Sequence, residues 1–297
     1  MKKIIISLFA FIVCMSINAQ TVKLYKGKLL VAEYAADQVD NIEFAKTSSK
    51  MNFSASVGSD NITRTSITDN YDIVWEVNDK IDIYNTQNKT NGTFSITEIS
   101  KDKKNATFTG HNIASDIGNK YYALYPSGTK FTNVNNQMSA TVPAIQPALK
   151  GINQDYQFMT ACSDNQTLKF KNAIALLKIE IKSNAFTSIG TIRIESNNGE
   201  NIAGDFTAII NDNGTTTITS ATSSSVAIRK TANGDGTARL DPGIYYIAVL
   251  PSALKTGFTL YFEDTNNTKI YQRVNTRVLE FKSSTLYNLG SYDVDNL

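Results

Sequence analysis

Leu177-Lys178-Ile179-Glu180-Ile181-Lys182 sets aliphatic side chains on one face of an extended chain and charges on the other. That period of two is the mark of a half-buried β-strand. The same alternation recurs in both directions. Upstream, Met51, Phe53, Ala55 and Val57 alternate with polar neighbours. Similar runs fall at Ile73 to Val77, Ile81 to Tyr84, Phe94 to Ile99 and Ala106 to Thr109. Tyr121 to Tyr125 is an aromatic-rich run stopped by Pro126, and Met138 to Val142 is stopped by Pro143. Proline has no N–H to give a ladder, so both mark strand ends. Downstream, Ile189 to Glu195 and Ile202 to Ile210 flank Asn197-Asn198-Gly199, which reads as a hairpin turn because Asn-Gly tolerates positive φ. Asp212-Asn213-Gly214 reads as a second one. Ile244 to Leu250 ends at Pro251, and Phe258, Leu260 and Phe262 alternate with Thr259, Tyr261 and Glu263. No long 3.6-residue periodicity competes, so the pattern predicts an all-β chain of sandwiches and not a βαβ fold.

With 297 residues the chain exceeds the usual single-domain size, and 41% hydrophobic residues suffice for real cores. The expected organisation is a signal peptide over 1–19, a leader hairpin and linker over 20–50, one β-sandwich over 51–165 and a second over 166–297. The polar stretch Ser163 to Gln166 is read as the boundary. At the start, Lys2 and Lys3 precede an apolar core from Ile4 to Val13, and Ile17-Asn18-Ala19 is a plausible cleavage site, with the cut after Ala19. That apolar run is too short to span a bilayer, and no later segment approaches a transmembrane span. Val22 to Tyr25 and Leu29 to Tyr34 read as strands around Lys26-Gly27-Lys28, with a third strand at Ile42 to Ala45.

Charge and chemistry narrow the function. The whole chain has 29 Lys+Arg against 27 Asp+Glu; removing Lys2 and Lys3 leaves 27 against 27. A near-neutral chain with no dense basic run offers little counterion release, so nucleic acid is not an expected partner. Cys14 lies in the signal with Val13, not a small residue, before it, which argues for ordinary cleavage over lipidation. Cys162 is then alone, and no internal disulfide can form. His111 is the single histidine, so a His-rich metal site and HExxH are excluded, and it sits in a polar Thr-Gly-His-Asn turn with no nucleophile elbow nearby. A Cys162–His111 dyad competes with a plainer reading of Cys162 as a small buried hydrophobe. Nucleotide-binding fingerprints are absent. Asn233-Gly234-Asp235-Gly236 and Asp293-Val294-Asp295 invite calcium, but neither has EF-hand spacing, and the first is better explained as a hairpin tip. Trp75, the only tryptophan, lies in an apolar run and reads as core. No cofactor, metal site or catalytic residue is expected.

Several segments, in order, resemble the fimbrillin family, the pilus-subunit-like proteins of Bacteroidetes-type bacteria. Thr63-Arg64-Thr65 followed by Val74-Trp75-Glu76-Val77-Asn78-Asp79-Lys80-Ile81-Asp82-Ile83-Tyr84 is similar to the family's Thr-Arg-Thr/Ala element and its Trp…Gly-Asp-Lys-Ile…Tyr strand-turn-strand, with Asn78 in place of the common Gly. Tyr121-Tyr122-Ala123-Leu124-Tyr125-Pro126, Val142-Pro143-Ala144-Ile145-Gln146, Phe158-Met159-Thr160-Ala161, Leu168 to Ala173 and Tyr246 to Pro251 resemble later family strands. Val22 to Phe44 resembles a leader hairpin that precedes the globular part of many exported proteins from these bacteria. The resemblance implies two transthyretin-like Greek-key β-sandwiches in tandem. It also implies a structural or adhesive subunit of a cell-surface fimbria, assembled by donor-strand exchange with other subunits after proteolytic trimming at a basic residue. Lys46, Lys50 and Arg64 are the candidates for that cut. The alternative is a secreted β-sandwich module binding a glycan or host protein.

Overall fold

The alternation of Met51 to Val57 is realised as a strand whose Met51, Phe53, Ala55 and Val57 are all buried while Asn52 and Ser54 face water. It opens the larger of two compact units, residues 1–49 and 50–297. The computed structural model describes residues 21–35, 50–57, 66–67, 73–86, 89–111, 120–131, 136–149, 156–184, 186–230 and 238–297. In the first unit, β1 (Thr21–Lys26) and β2 (Leu29–Ala35) pair antiparallel around Gly27, whose φ of +64° is one that glycine accepts freely. Lys23 pairs with Glu33 across the hairpin at 3.2 Å. The expected third strand at Ile42 to Ala45 lies outside the described residues.

In the second unit the strands follow in chain order. They begin with β3 (Met51–Val57), β4 (Ser66–Ile67), β5 (Ile73–Val74), β6 (Lys80–Asn85), β7 (Thr90–Ile99), β8 (Asn105–Gly110) and β9 (Tyr121–Tyr125). Next come β10 (Lys130–Phe131), β11 (Gln137–Val142), β12 (Ile145–Pro147), β13 (Met159–Ser163), β14 (Thr167–Asn172) and β15 (Ala175–Ser183). Then follow β16 (Ile189–Ser196), β17 (Ala203–Ile210), β18 (Thr216–Ser223), β19 (Ser225–Arg229), β20 (Gly243–Val249) and β21 (Ser252–Leu254). The chain closes with β22 (Phe258–Asp264), β23 (Lys269–Asn275), β24 (Leu279–Phe281), β25 (Leu286–Asp293) and a single 3-10 turn at Val294–Asn296. No α-helix occurs among the described residues. The chain is all-β.

Seven strands close a barrel in the order β13-β14-β3-β8-β7-β6-β9. β3 is antiparallel to β8, with Phe53 opposite Phe108, and parallel to β14, with Ala55 opposite Leu168. Trp75 is fully buried inside, edge-to-face with Phe108 at 5.0 Å, Phe170 at 5.4 Å and Tyr125 at 5.7 Å. Each such pair is worth about 0.5–1.5 kcal/mol beyond its buried area, so the three together are of the same size as the roughly 1–3 kcal/mol cost of the unpaired buried Trp75 indole N–H. Gly110 has no side chain for a steric reason: a Cβ there would sit 2.7 Å from the Phe94 ring.

Four further sheets surround a second core. β20-β15-β25 form one, β12-β19-β16-β22-β23 another, β10-β11-β17-β18 a third, and β21-β24 a short fourth. In β15 the alternation quoted first holds: Leu177, Ile179 and Ile181 are buried and the interleaved Lys178, Glu180 and Lys182 are not. Gln146 is buried and works like a strand backbone, its Nε2 donating to the Ala248 carbonyl at 2.8 Å and its Oε1 accepting from the Ala248 N–H at 3.0 Å. It thereby fastens β12 to β20 of a different sheet. β9 explains its unbroken burial: Tyr121, Ala123 and Tyr125 face the barrel core, while Tyr122 and Leu124 belong to the second core.

Two expectations are corrected by these pairings. Ser163 to Gln166 does not divide the sheets, because it turns β13 into β14 inside the barrel. The sheets exchange segments on either side of it: β11 and β12 precede that turn, yet pair with β17 and β19 of the second half. Asn197-Asn198-Gly199 is a turn, with Gly199 at φ +78°, but no hairpin. β16 pairs with β19 and β22, and β17 with β11 and β18, so the turn arches the chain from one sheet to another. Asp212-Asn213-Gly214 does close a hairpin, between β17 and β18.

Candidate functional site

Of the residues proposed for trimming, Lys50 is exposed and directly precedes β3. Lys46 and Arg64, like the cleavage candidate Ala19, lie outside the described residues, as does the Asn233-to-Gly236 turn. In sequence, Lys50 and Arg64 stand on either side of β3, the strand that seals the barrel between β8 and β14.

Two hollows open on the surface of the second unit. The first, about 640 Å³, lies where the β9–β10 connection meets the sheet of β10, β11, β17 and β18. Its wall starts at the cis Tyr125–Pro126 bond and turns at Gly128, whose φ is +97° and whose N–H donates to Asp82 Oδ2 at 2.7 Å. The sheet side carries hydroxyls at every second position. The Thr141 hydroxyl donates to Asp205 Oδ1 at 2.6 Å, and Thr207 Oγ1 lies 2.7 Å from both Thr219 and Ser220. Gly204, at φ +91°, lets Thr222 approach, since a Cβ there would stand 2.2 Å from the Thr222 hydroxyl. The wall's charged side chains are Lys130 and Asp205. A single carboxylate cannot perform paired acid–base hydrolysis, which needs two facing each other. Sequence reading missed this hollow, although the threonine-rich run Thr215 to Ser223 was its visible signal.

The second hollow, about 460 Å³, lies between the edge strands β23 and β25. Its lining is predominantly polar, with Arg273, Arg277, Asn275 and Asn288 beside the apolar Phe258, Leu260, Val274 and Leu289.

Cys162 sits beside Tyr122 across the β9–β13 ladder, near the β17–β18 turn. Lys120 Nζ reaches Asp212 Oδ1 at 2.8 Å, and the Tyr122 hydroxyl donates to the same oxygen at 3.4 Å. Loss of water around Cys162 pushes its thiol up to about 11, an effect that the nearby Lys120 offsets only in part. A thiol so shifted is held in its protonated, less reactive form at neutral pH. Burial likewise raises Tyr122 to about 12. His111 is exposed at the end of β8. Asp295, read against calcium, caps backbone instead: it accepts from the N–H groups of Phe186 at 2.7 Å and Thr187 at 2.9 Å. Among the described residues no group of acidic, His or Cys side chains is arranged to hold a metal ion, and no helix is long and apolar enough to cross a membrane.

No protein-family model matches the chain, and no curated protein matches it in sequence. Solved structures do match in fold. A candidate cell adhesion protein from Bacteroides uniformis superposes with a TM-score of 0.51 and 18% identity, over 82% of this chain and 94% of that one. A second from Bacteroides ovatus gives 0.48 and 14%, over 82% and 92%. The tip fimbrial protein Mfa3 from Porphyromonas gingivalis gives 0.38 and 8%, over 76% and 80%. The all-β architecture of this chain is thus the fold of the Bacteroides uniformis candidate adhesion protein.

Proposed function

We propose that the chain is an exported, non-enzymatic structural or adhesive subunit of a cell-surface fimbria, made of tandem transthyretin-like Greek-key domains, the first closed into a ring. The observation that carries the reading is the position of β3. It is the first barrel strand in sequence, it fills the gap between β8 and β14, and basic residues flank it at Lys50 and Arg64. A cut after Arg64 separates β3 from the rest of the barrel. Its departure bares the backbone of β8 and β14 and an apolar floor, a groove that a strand from another subunit can fill with side chains at alternate positions. Met51, Phe53, Ala55 and Val57 define the pattern such a strand must carry. The fold shared with the candidate adhesion protein supports the same reading.

The test is light scattering and SDS gels on the mature protein before and after limited trypsin digestion. Oligomer ladders that resist SDS and appear only after β3 is released support strand exchange. A stable monomer after loss of β3 overturns it. The hydroxyl-lined hollow beside β17 and β18 favours the second reading, a secreted glycan-binding module, and would then be the whole function.

A further inference from the structure

β23 breaks the rule that builds the rest of the fold. Its aliphatic residues Ile270 and Val274 are exposed, at 44% and 53%. Its polar residues Tyr271, Arg273 and Asn275 stand opposite Phe262, Leu260 and Phe258, on the inward face of β22. A shift of one residue would exchange the two sets; the ladder, with its irregularity between Phe262 and Glu263, sets Arg273 on the face of Leu260, where it stays exposed. Such an inversion leaves apolar surface in water, and a fold that keeps it does so where local rules yield to function.

The groups around this hollow have a common character: their side-chain acceptors are used, and more donors than acceptors are left over. Asn275 Oδ1 accepts the Arg277 N–H and Asn288 Oδ1 accepts the Gly290 N–H, each at 3.0 Å. The Tyr292 hydroxyl accepts from Arg273 at 3.0 Å and donates to the Leu289 carbonyl at 3.0 Å. That leaves the amide N–H groups of Asn275 and Asn288, the Arg273 N–H groups not given to Tyr292, and the Arg277 guanidinium. Neither Arg273 nor Arg277 has a carboxylate within ion-pair distance among the described residues, and the lining contains no acid. From Asn267 to Leu279 the chain carries Lys269, Arg273 and Arg277 and no Asp or Glu.

We infer that the groove between β23 and β25 binds a carboxylate-bearing sugar, with the ring over Phe258, Leu260 and Leu289 and the carboxylate at Arg273 and Arg277. Arginine forks match a carboxylate in two parallel hydrogen bonds. The asparagine amides then serve ring oxygens, and a volume of about 460 Å³ accepts one or two sugar units. The inference deepens the adhesive reading and rests on it. The assay below measures binding by a soluble monomer, so its failure leaves subunit assembly, read from oligomer ladders, untouched.

The experiment is calorimetric titration of the mature chain with a tetrasaccharide of alternating glucuronate and N-acetylglucosamine, and with its methyl ester. The acid should bind at least about tenfold more tightly than the ester. Arg277→Glu, at an exposed side chain free of internal partners, should abolish that difference while leaving the thermal midpoint unchanged. Arg273→Gln should weaken binding as well. Equal binding of acid and ester, no binding of either, or unchanged binding by Arg277→Glu would overturn the inference. Tighter binding of hexaglutamate than of the saccharide would overturn it in favour of an acidic peptide.

Discussion

At the scale of single residues, Glu200 and Gly257 hold two turns around the β22 edge. Burial disfavours the charge on Glu200, yet hydrogen bonds from the Ser196 hydroxyl, the Lys255 N–H and Asn198 more than offset this and bring its carboxyl to about 2, against 4.5 ordinarily. Between those values the unfolded chain binds the proton and the folded chain does not, so the stabilisation is complete above about pH 4.5 and is lost as pH falls towards 2. Much of the side chain is solvated, so screening reduces the contribution to about 1 kcal/mol. Glu200→Gln should therefore lower the unfolding free energy from urea curves by that amount at pH 7 and leave it unchanged near pH 2; equal destabilisation at both pH values would refute the charge argument. Gly257 has φ +76°, and a Cβ there would lie 2.0 Å from the Asn275 carbonyl oxygen. Gly257→Ala should cost roughly 2–4 kcal/mol from clash and left-handed strain together, measured by the same unfolding curves. The glycine in its Thr-Gly-Phe context was visible in the sequence; its need was not, because Asn275 is brought beside it only by the β22–β23 ladder.

At the scale of elements, the strands were legible and their partners were not. Alternation is a local property, and Met51 to Val57 or Leu177 to Lys182 declare a buried face without reference to anything else. Pairing depends on what the other face meets. Nothing in Thr167 to Asn172 announces that it lies parallel to β3, more than a hundred positions away in sequence terms. Polar turn chemistry is the same in a hairpin, an arch and a linker, so the residues of Ser163 to Gln166 fit a boundary, and those of Asn197 to Gly199 a hairpin, as well as the turns they form. The Arg273 groove was hidden for the same reason, since which face of β23 looks inward follows from its ladder with β22. Gln146 shows what such a non-local contact is worth. Its amide satisfies both the N–H and the carbonyl of Ala248, so Gln146→Leu would bury two unpaired backbone groups. The expected cost is about 2–4 kcal/mol, seen as a shifted denaturation midpoint at unchanged slope. Loss of less than about 0.5 kcal/mol would mean that water replaces the amide there.

At the scale of the whole second unit, the barrel and the sheets around β15 meet along β9, a strand with no solvent face. Tyr122 and Leu124 leave the barrel wall outward and become part of the other core, together with Met138, Val142 and Phe158. The segment between the barrel strands β9 and β13 runs through the other sheets, where β11 pairs with β17 and β12 with β19, so the chain as well as the packing ties the two cores together. The two cores should therefore unfold in one transition. The single tryptophan makes this measurable: Trp75 lies in the barrel interior and its fluorescence reports that core alone, while far-ultraviolet dichroism reports every sheet. Thermal midpoints from the two signals should coincide in the mature protein. Leu124→Ala removes a fully buried side chain from the shared wall and should cost about 2–5 kcal/mol, lowering both midpoints together. If instead the dichroism midpoint falls while the tryptophan signal holds, the barrel folds independently of the sheets that flank it. Loss of β3 would then free a groove on a domain that stays folded alone, and the fimbrial reading would need no support from the second half of the chain.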